Sequence, residues 1–200
     1  MTVYGKGSYM EVGMGHEYTI AKGYDWLRDK GEKVQWSKYI WNKWIVPKHA
    51  MLVWIYQHQS LNTNAKLKSL GIVDNDACLV CGDAIKTLEH LFLNCAYSRL
   101  VISALECWLN LHLPTQNLID WRWRRKGSKM KQGFLNAVLN ATIYQIWRQR
   151  NLSRFEGKLV RPKRVAQNIV IEMKIRVTGI ANRSMDARDR VWCRDLQIEI

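Results

Sequence analysis

Four residues in this chain have the types and the spacing to hold a metal ion: Cys78, Cys81, His90 and Cys95, in the pattern C-x2-C-x8-H-x4-C. Thiolate sulfur and imidazole nitrogen are soft or borderline donors, and four of them in a short loop can close a tetrahedron around zinc. The two residues between Cys78 and Cys81 let both thiolates reach one ion from a tight turn. Gly82, just after them, supplies the backbone freedom such a turn needs. With every position filled by protein the site is closed, so the metal is expected to be structural and not catalytic. The competing reading is a set of buried free cysteines beside a core histidine, and the zinc content of the protein separates the two.

These ligands have to be positioned by local structure. Residues 87–93 read as the start of a helix that presents His90. His90 and Cys95 are one residue further apart than a helical i, i+4 pair, so a regular helix does not place both on one face. The helix is therefore expected to end or bend near Asn94, with Cys95 turning back to the metal. The rest of the chain reads as mostly helix. A short strand is expected over 17–21 and a short helix over 24–30. A helix opens at Trp36–Ser37 with Ile40, Trp41 and Trp44 on one face, interrupted by Pro47. A second helix carries Ala50, Met51, Trp54, Ile55 and His58, and Asn62 or Thr63 caps a third that stops at Gly71.

Beyond the cysteines, residues 97–111 place Leu100, Val101, Ala104, Leu105 and Trp108 on one stripe. Residues 134–150 bury Leu135, Val138, Leu139, Thr142, Ile143 and Ile146, and end with Arg148 and Arg150 suited to the negative end of the helix dipole. Residues 163–180 repeat Val165, Ile169, Met173 and Val177 at four-residue steps, and a last helix is expected over 184–195. The predicted class is mostly α: a helical domain stapled by one Cys3His zinc site, with a short N-terminal β element and a C-terminal helical extension. The predicted divisions are a flexible N-terminus at 1–15, a zinc-binding helical domain at 16–112 with its zinc loop at 77–96, a basic linker at 113–133 and the extension at 134–200.

Charge is concentrated. The net +14 breaks down as 12 basic and 11 acidic residues in 1–120, 15 and 2 in 121–176, and 4 of each in 177–200. A stretch so positive attracts polyanions. The candidate nucleic-acid-binding residues are Arg122, Trp123, Arg124, Arg125, Lys126, Lys129 and Lys131, because cations neutralise phosphates while indoles stack on unpaired bases. The same stretch could be a solvated loop, or a nuclear-import signal like Arg161-Pro162-Lys163-Arg164. Trp36, Trp41, Trp44 and Trp54 read as core packing in preference to base stacking. Five cysteines, three of them in the zinc pattern, point to a reducing compartment. The longest apolar run, 50–56, is too short to span a bilayer, and no signal-peptide pattern opens the chain. An intracellular location is expected, nucleus ahead of cytoplasm, with no membrane partner.

The order of motifs carries a resemblance. Trp41-Asn42-Lys43-Trp44-Ile45-Val46-Pro47-Lys48 precedes Leu52-Val53-Trp54 and Leu61-Asn62-Thr63. The cysteine cluster follows, with Leu88-Glu89-His90-Leu91-Phe92 inside it. This arrangement resembles the zinc-binding domain C-terminal to the polymerase of plant non-LTR (LINE-type) retrotransposon reverse transcriptases. Residues 18–27 resemble that domain's lead-in, although Ile20-Ala21-Lys22-Gly23-Tyr24 departs from its usual form. Ile146-Trp147-Arg148-Gln149-Arg150-Asn151 resembles its downstream W-x-x-R-N element. The resemblance spans roughly 16–158 and implies a structural zinc and contact with RNA or DNA.

Catalytic patterns are missing from the sequence. A polymerase needs paired aspartates for Mg2+, and no Asp-Asp pair occurs. There is no Gly-rich phosphate loop, no His-Glu-x-x-His and no nucleophile elbow, and His16, His49, His58 and His112 lie apart from any catalytic partner in sequence. The expected function is therefore a non-catalytic zinc-binding tail of a reverse-transcriptase-like protein that binds RNA or single-stranded DNA. The alternative is a protein-interaction or scaffold domain acting through the aromatic-rich helices of 36–58, or a decayed retroelement remnant.

Overall fold

The structure, a computed structural model, describes Thr19, Trp26, Val34 and residues 36–82, 87–113, 127–180 and 185–199. The chain separates into units 1–34 and 35–200. The described residues of the second unit form α1 (Ser37–Ile40), α2 (Pro47–Gln57), α3 (Asn64–Ser69), a π-helical turn (His90–Asn94), α4 (Ala96–Leu109), α5 (Lys129–Glu156), α6 (Pro162–Ile180) and α7 (Ala187–Asp195). No strand occurs among the described residues, and the mostly helical class expected from the sequence is the class observed. The flexible 1–15, the strand over 17–21 and the helix over 24–30 fall outside the described residues, apart from Thr19 and Trp26.

The long α5 is the axis of the unit, packing against α1, α2, α4, α6 and the π turn. Gly133 to Ile143 is buried without interruption, as expected of a helix with neighbours on every side. Burying Phe134, Leu139, Ile143 and Ile146 stabilises the fold by roughly 2 kcal/mol for each side chain. The helix is longer than its apolar periodicity suggested. It begins inside the segment read as basic linker, where the Ser128 hydroxyl accepts the Lys131 N–H at 3.0 Å. It continues past the expected stop at 150 to Gly157, whose φ of +62° closes it. The polar run from 148 to 151 hid this continuation, because Gln149 and Arg150 are buried polar residues.

The predicted face of α6 is the observed one: Val165, Ile169, Met173 and Val177 are all buried. The face of α4 is rotated from its prediction. Val101 and Leu105 are buried, but Leu100 is 61% exposed, and Tyr97, Ser98, Ile102 and Leu109 take its place. Because α4 touches both α6 and the π turn, its buried arc lies between two neighbours, and no single stripe describes it.

The tryptophan helix is also shorter than expected. It ends at Ile40, and residues 41–46 form a turn before Pro47, which opens α2 at its first position and interrupts nothing. Of the two tryptophans in the turn, Trp44 is buried while Trp41 is 51% exposed. Trp44 lies on α5 at Gly133, where an added β-carbon would come within 2.2 Å of its indole Cδ1. Arg176 of α6 holds the turn from the other side, donating to the carbonyls of Lys43 (2.7 Å), Trp44 (3.4 Å) and Ile45 (3.4 Å). Near the start of α5, Trp192 of α7 meets Phe134 edge-to-face at 5.2 Å, and the Trp108 indole N–H donates to the Leu196 carbonyl at 3.2 Å.

Candidate metal centre

Cys78, Cys81, His90 and Cys95 present one donor atom each, all within 4.8 Å of one another. Cys78 Sγ and Cys95 Sγ are 4.0 Å apart, and Cys81 Sγ is 3.4 Å from His90 Nε2. Tetrahedral zinc with Zn–S near 2.3 Å and Zn–N near 2.0 Å requires S···S of about 3.8 Å and S···N of about 3.5 Å. These two separations are close to those values, and the four donors are grouped tightly enough to hold one zinc ion. Three sulfurs and one nitrogen also disfavour magnesium and calcium, which take oxygen ligands.

Backbone winding solves the spacing problem between His90 and Cys95. Thr87 opens the turn, its hydroxyl accepting the His90 N–H at 3.0 Å. From His90 the chain winds as a π turn, and the Cys95 N–H donates to the His90 carbonyl, five residues back, at 2.6 Å. The wider turn brings His90 and Cys95 into register, which a regular helix does not. Cys95 then takes an extended conformation, φ −64° and ψ 126°, ahead of α4, so the bend expected near Asn94 is the exit from the π turn. On the opposite side Gly82, at φ +80°, donates its N–H to the Cys78 carbonyl at 2.8 Å and closes the Cys-x-x-Cys turn.

Electrostatics call for a cation between these thiols. Cys78 and Cys95 are almost fully buried, 1% and 0% exposed. Between themselves they stabilise a single negative charge: hydrogen bonding with the Cys95 thiol holds Cys78 well below the usual thiol range, and the same contact raises Cys95. A dication bound between them displaces the remaining proton and offsets the repulsion of the two thiolates.

Residues 18–101 match the family model described as zinc-binding in reverse transcriptase. That stretch contains all four ligands and ends within α4. No curated protein and no solved structure matches the chain. Family match and donor geometry together support a structural zinc held by these four residues, in a stretch similar to the zinc-binding domain of reverse transcriptases.

The zinc loop is steadied by Asn64 inside the matched stretch and by α5 residues beyond it. Asn64 of α3 donates its side-chain N–H to the carbonyl of Ala77, next to Cys78, at 3.0 Å. The Oδ1 of the same Asn64 accepts from Arg150 and Arg154 of α5, each at 3.1 Å. Arg150 also donates to the Asn62 carbonyl and to Asn151 Oδ1, both at 2.8 Å. Ser153 donates to the Leu79 carbonyl, inside the Cys-x-x-Cys turn, at 2.8 Å. Thr63 caps α3 by accepting the Lys66 N–H, which fixes Asn64 for this double role. Burial pulls the Arg150 pKa down to about 10, leaving it charged at neutral pH.

Arg150 therefore does not serve the helix end, as its sequence position suggested. It is a mid-helix clamp on the zinc domain, while Arg148, just before it in sequence, is exposed. Sequence reasoning missed the role of Asn64, Arg150 and Ser153 together. The signal within reach was the Arg-Asn pair of the W-x-x-R-N element.

Of the residues expected to contact nucleic acid, Arg122, Trp123, Arg124, Arg125 and Lys126 lie outside the described residues. Lys129 is exposed on the first turn of α5. Lys131 is half-buried, its ammonium 5.0 Å from the Trp192 ring centroid, so it serves the packing of α7.

Proposed function

We propose that this protein is a non-catalytic, zinc-stapled module of a plant non-LTR (LINE-type) reverse-transcriptase-related protein, binding RNA or single-stranded DNA through a basic surface. One observation carries this reading: the excess of 15 basic over 2 acidic residues in 121–176, attached to a zinc domain of reverse-transcriptase type. A protein that copies RNA into DNA must hold single-stranded template, and a rigid helical unit with concentrated positive charge suits that task. The zinc has no open coordination position among its four protein ligands and is assigned a folding role only. Nuclear location fits the exposed Arg161, Lys163 and Arg164 around the start of α6.

The test is fluorescence anisotropy of labelled single-stranded RNA against zinc-loaded protein over a salt series. Each phosphate neutralised contributes about −0.7 to the log–log slope. The reading expects a slope worth several contacts. Absence of binding at low salt overturns it.

A second reading has its own support. Trp41, Met51 and Trp54 are large apolar side chains left exposed on or near α2, and such surface suits a protein partner. It expects association that is insensitive to salt, measurable by sedimentation at low and high ionic strength.

A further inference from the structure

An open groove of about 610 Å3 runs between the 38–44 segment and the first turns of α5. Lys38, Lys43 and Lys129 line it, with Tyr39, Asn42 and Asn136, and no carboxylate lines it among the described residues. Lys38, Lys43 and Lys129 are all exposed. The two sides meet where Trp44 lies on Gly133, so the groove has a fixed floor. Lys129 follows the Arg122–Lys126 run by three residues in sequence, whereas Lys38 and Lys43 come from the zinc-family stretch far upstream.

We infer that this groove is a phosphate-backbone subsite for single-stranded nucleic acid, in which Lys38 and Lys43 act with Lys129. The inference rests on the nucleic-acid reading above and adds two residues that charge counting did not single out, because 1–120 is nearly neutral overall. Three lysines from two distant segments, lining one concave surface with no carboxylate among its described residues, make a local positive potential. Lysine donates to phosphate as a point charge, and phosphate contacts carry no sequence information. The ligand is therefore the backbone itself, common to RNA and DNA, and no sequence preference is expected of the groove.

The test uses the full zinc-loaded chain and two probes, oligo-uridylate and oligo-deoxythymidylate, across a salt series. Each neutralised phosphate contact is worth about 0.7 in slope, so Lys38→Gln/Lys43→Gln should flatten the slope by about 1.4 on both probes. Lys38→Arg/Lys43→Arg should restore it. Lys66→Gln/Lys68→Gln, the same charge change on α3, should leave it unchanged. An unchanged slope in the groove variant overturns the subsite while leaving the wider reading intact. An equal loss in the α3 variant also overturns it, since the effect would then be net charge. A loss confined to one probe overturns the backbone assignment. Failure of the unmutated protein to bind either probe overturns both the subsite and the wider reading.

Discussion

The zinc loop and the α4–α5–α6 core are organised by different forces. Around α5, order comes from apolar burial spread over many side chains, so no single contact decides the outcome. In the zinc loop it comes from four donors converging on one point, two of them buried thiols that repel as thiolates without a cation. Distributed burial tolerates small losses and coordination does not. Arg150 joins the two regions, since it is rooted in the α5 core and grips the segment that leads to Cys78.

The sharpest way to break the comparison is to remove the metal. Structural zinc contributes about 10–16 kcal/mol of apparent binding free energy in small zinc peptides. Cys95→Ser, or a strong chelator, should abolish stoichiometric zinc and expose 70–95 to protease, while α5 and α6 keep most of their helical circular dichroism. Collapse of the entire helical signal would show that the core depends on the metal.

Next in size is Arg150→Met. It removes the charged donor of the Asn62 carbonyl and leaves Asn64 Oδ1 with Arg154 alone, at a cost of about 2–3 kcal/mol. Urea unfolding should show that loss, and zinc competition should show weaker retention. A loss of stability with unchanged zinc retention would sever the proposed link between core and loop.

Gly133→Ala tests the core alone. The new β-carbon meets the Trp44 indole, and overpacking of this kind costs about 1–3 kcal/mol. The urea midpoint should fall with little change in zinc content. By contrast, Leu100→Ser, on the face that periodicity alone would bury, should stay within about 0.5 kcal/mol.

A comparable effect depends on pH. His49 is fully buried, its ring 4.4 Å from that of Tyr144 and its Nε2 3.4 Å from the Glu172 carboxylate. Burial, then the charges of Lys48 and Arg176, hold its pKa down from 6.5 to about 4. The unfolded chain therefore takes up this proton first, and the stabilisation present above pH 6.5 is lost as pH falls toward 4. Glu172, raised by burial, acts in the opposite sense and softens the loss. Between about pH 7 and pH 4.5 the protein should lose on the order of 2 kcal/mol more than its His49→Gln variant. Zinc-ligand protonation is common to both and cancels. Parallel curves would remove His49 from the account.

The parts governed by local rules were legible along the chain. The four ligands are set by donor chemistry and short spacing, and the face of α6 by a repeat of four, while the cap of α3 is narrowed to Asn62 or Thr63, of which the structure uses Thr63. Tertiary structure decided what depends on neighbours distant along the chain. Leu100 is outside because α4 has two partners, and Arg150 can be buried in α5 past the expected stop because Asn62 and Asn64 accept hydrogen bonds from its guanidinium. The π turn belongs to both. Five-residue spacing ruled out a regular helix, but only convergence on the facing Cys-x-x-Cys turn selected the wider winding that brings His90 and Cys95 to one point.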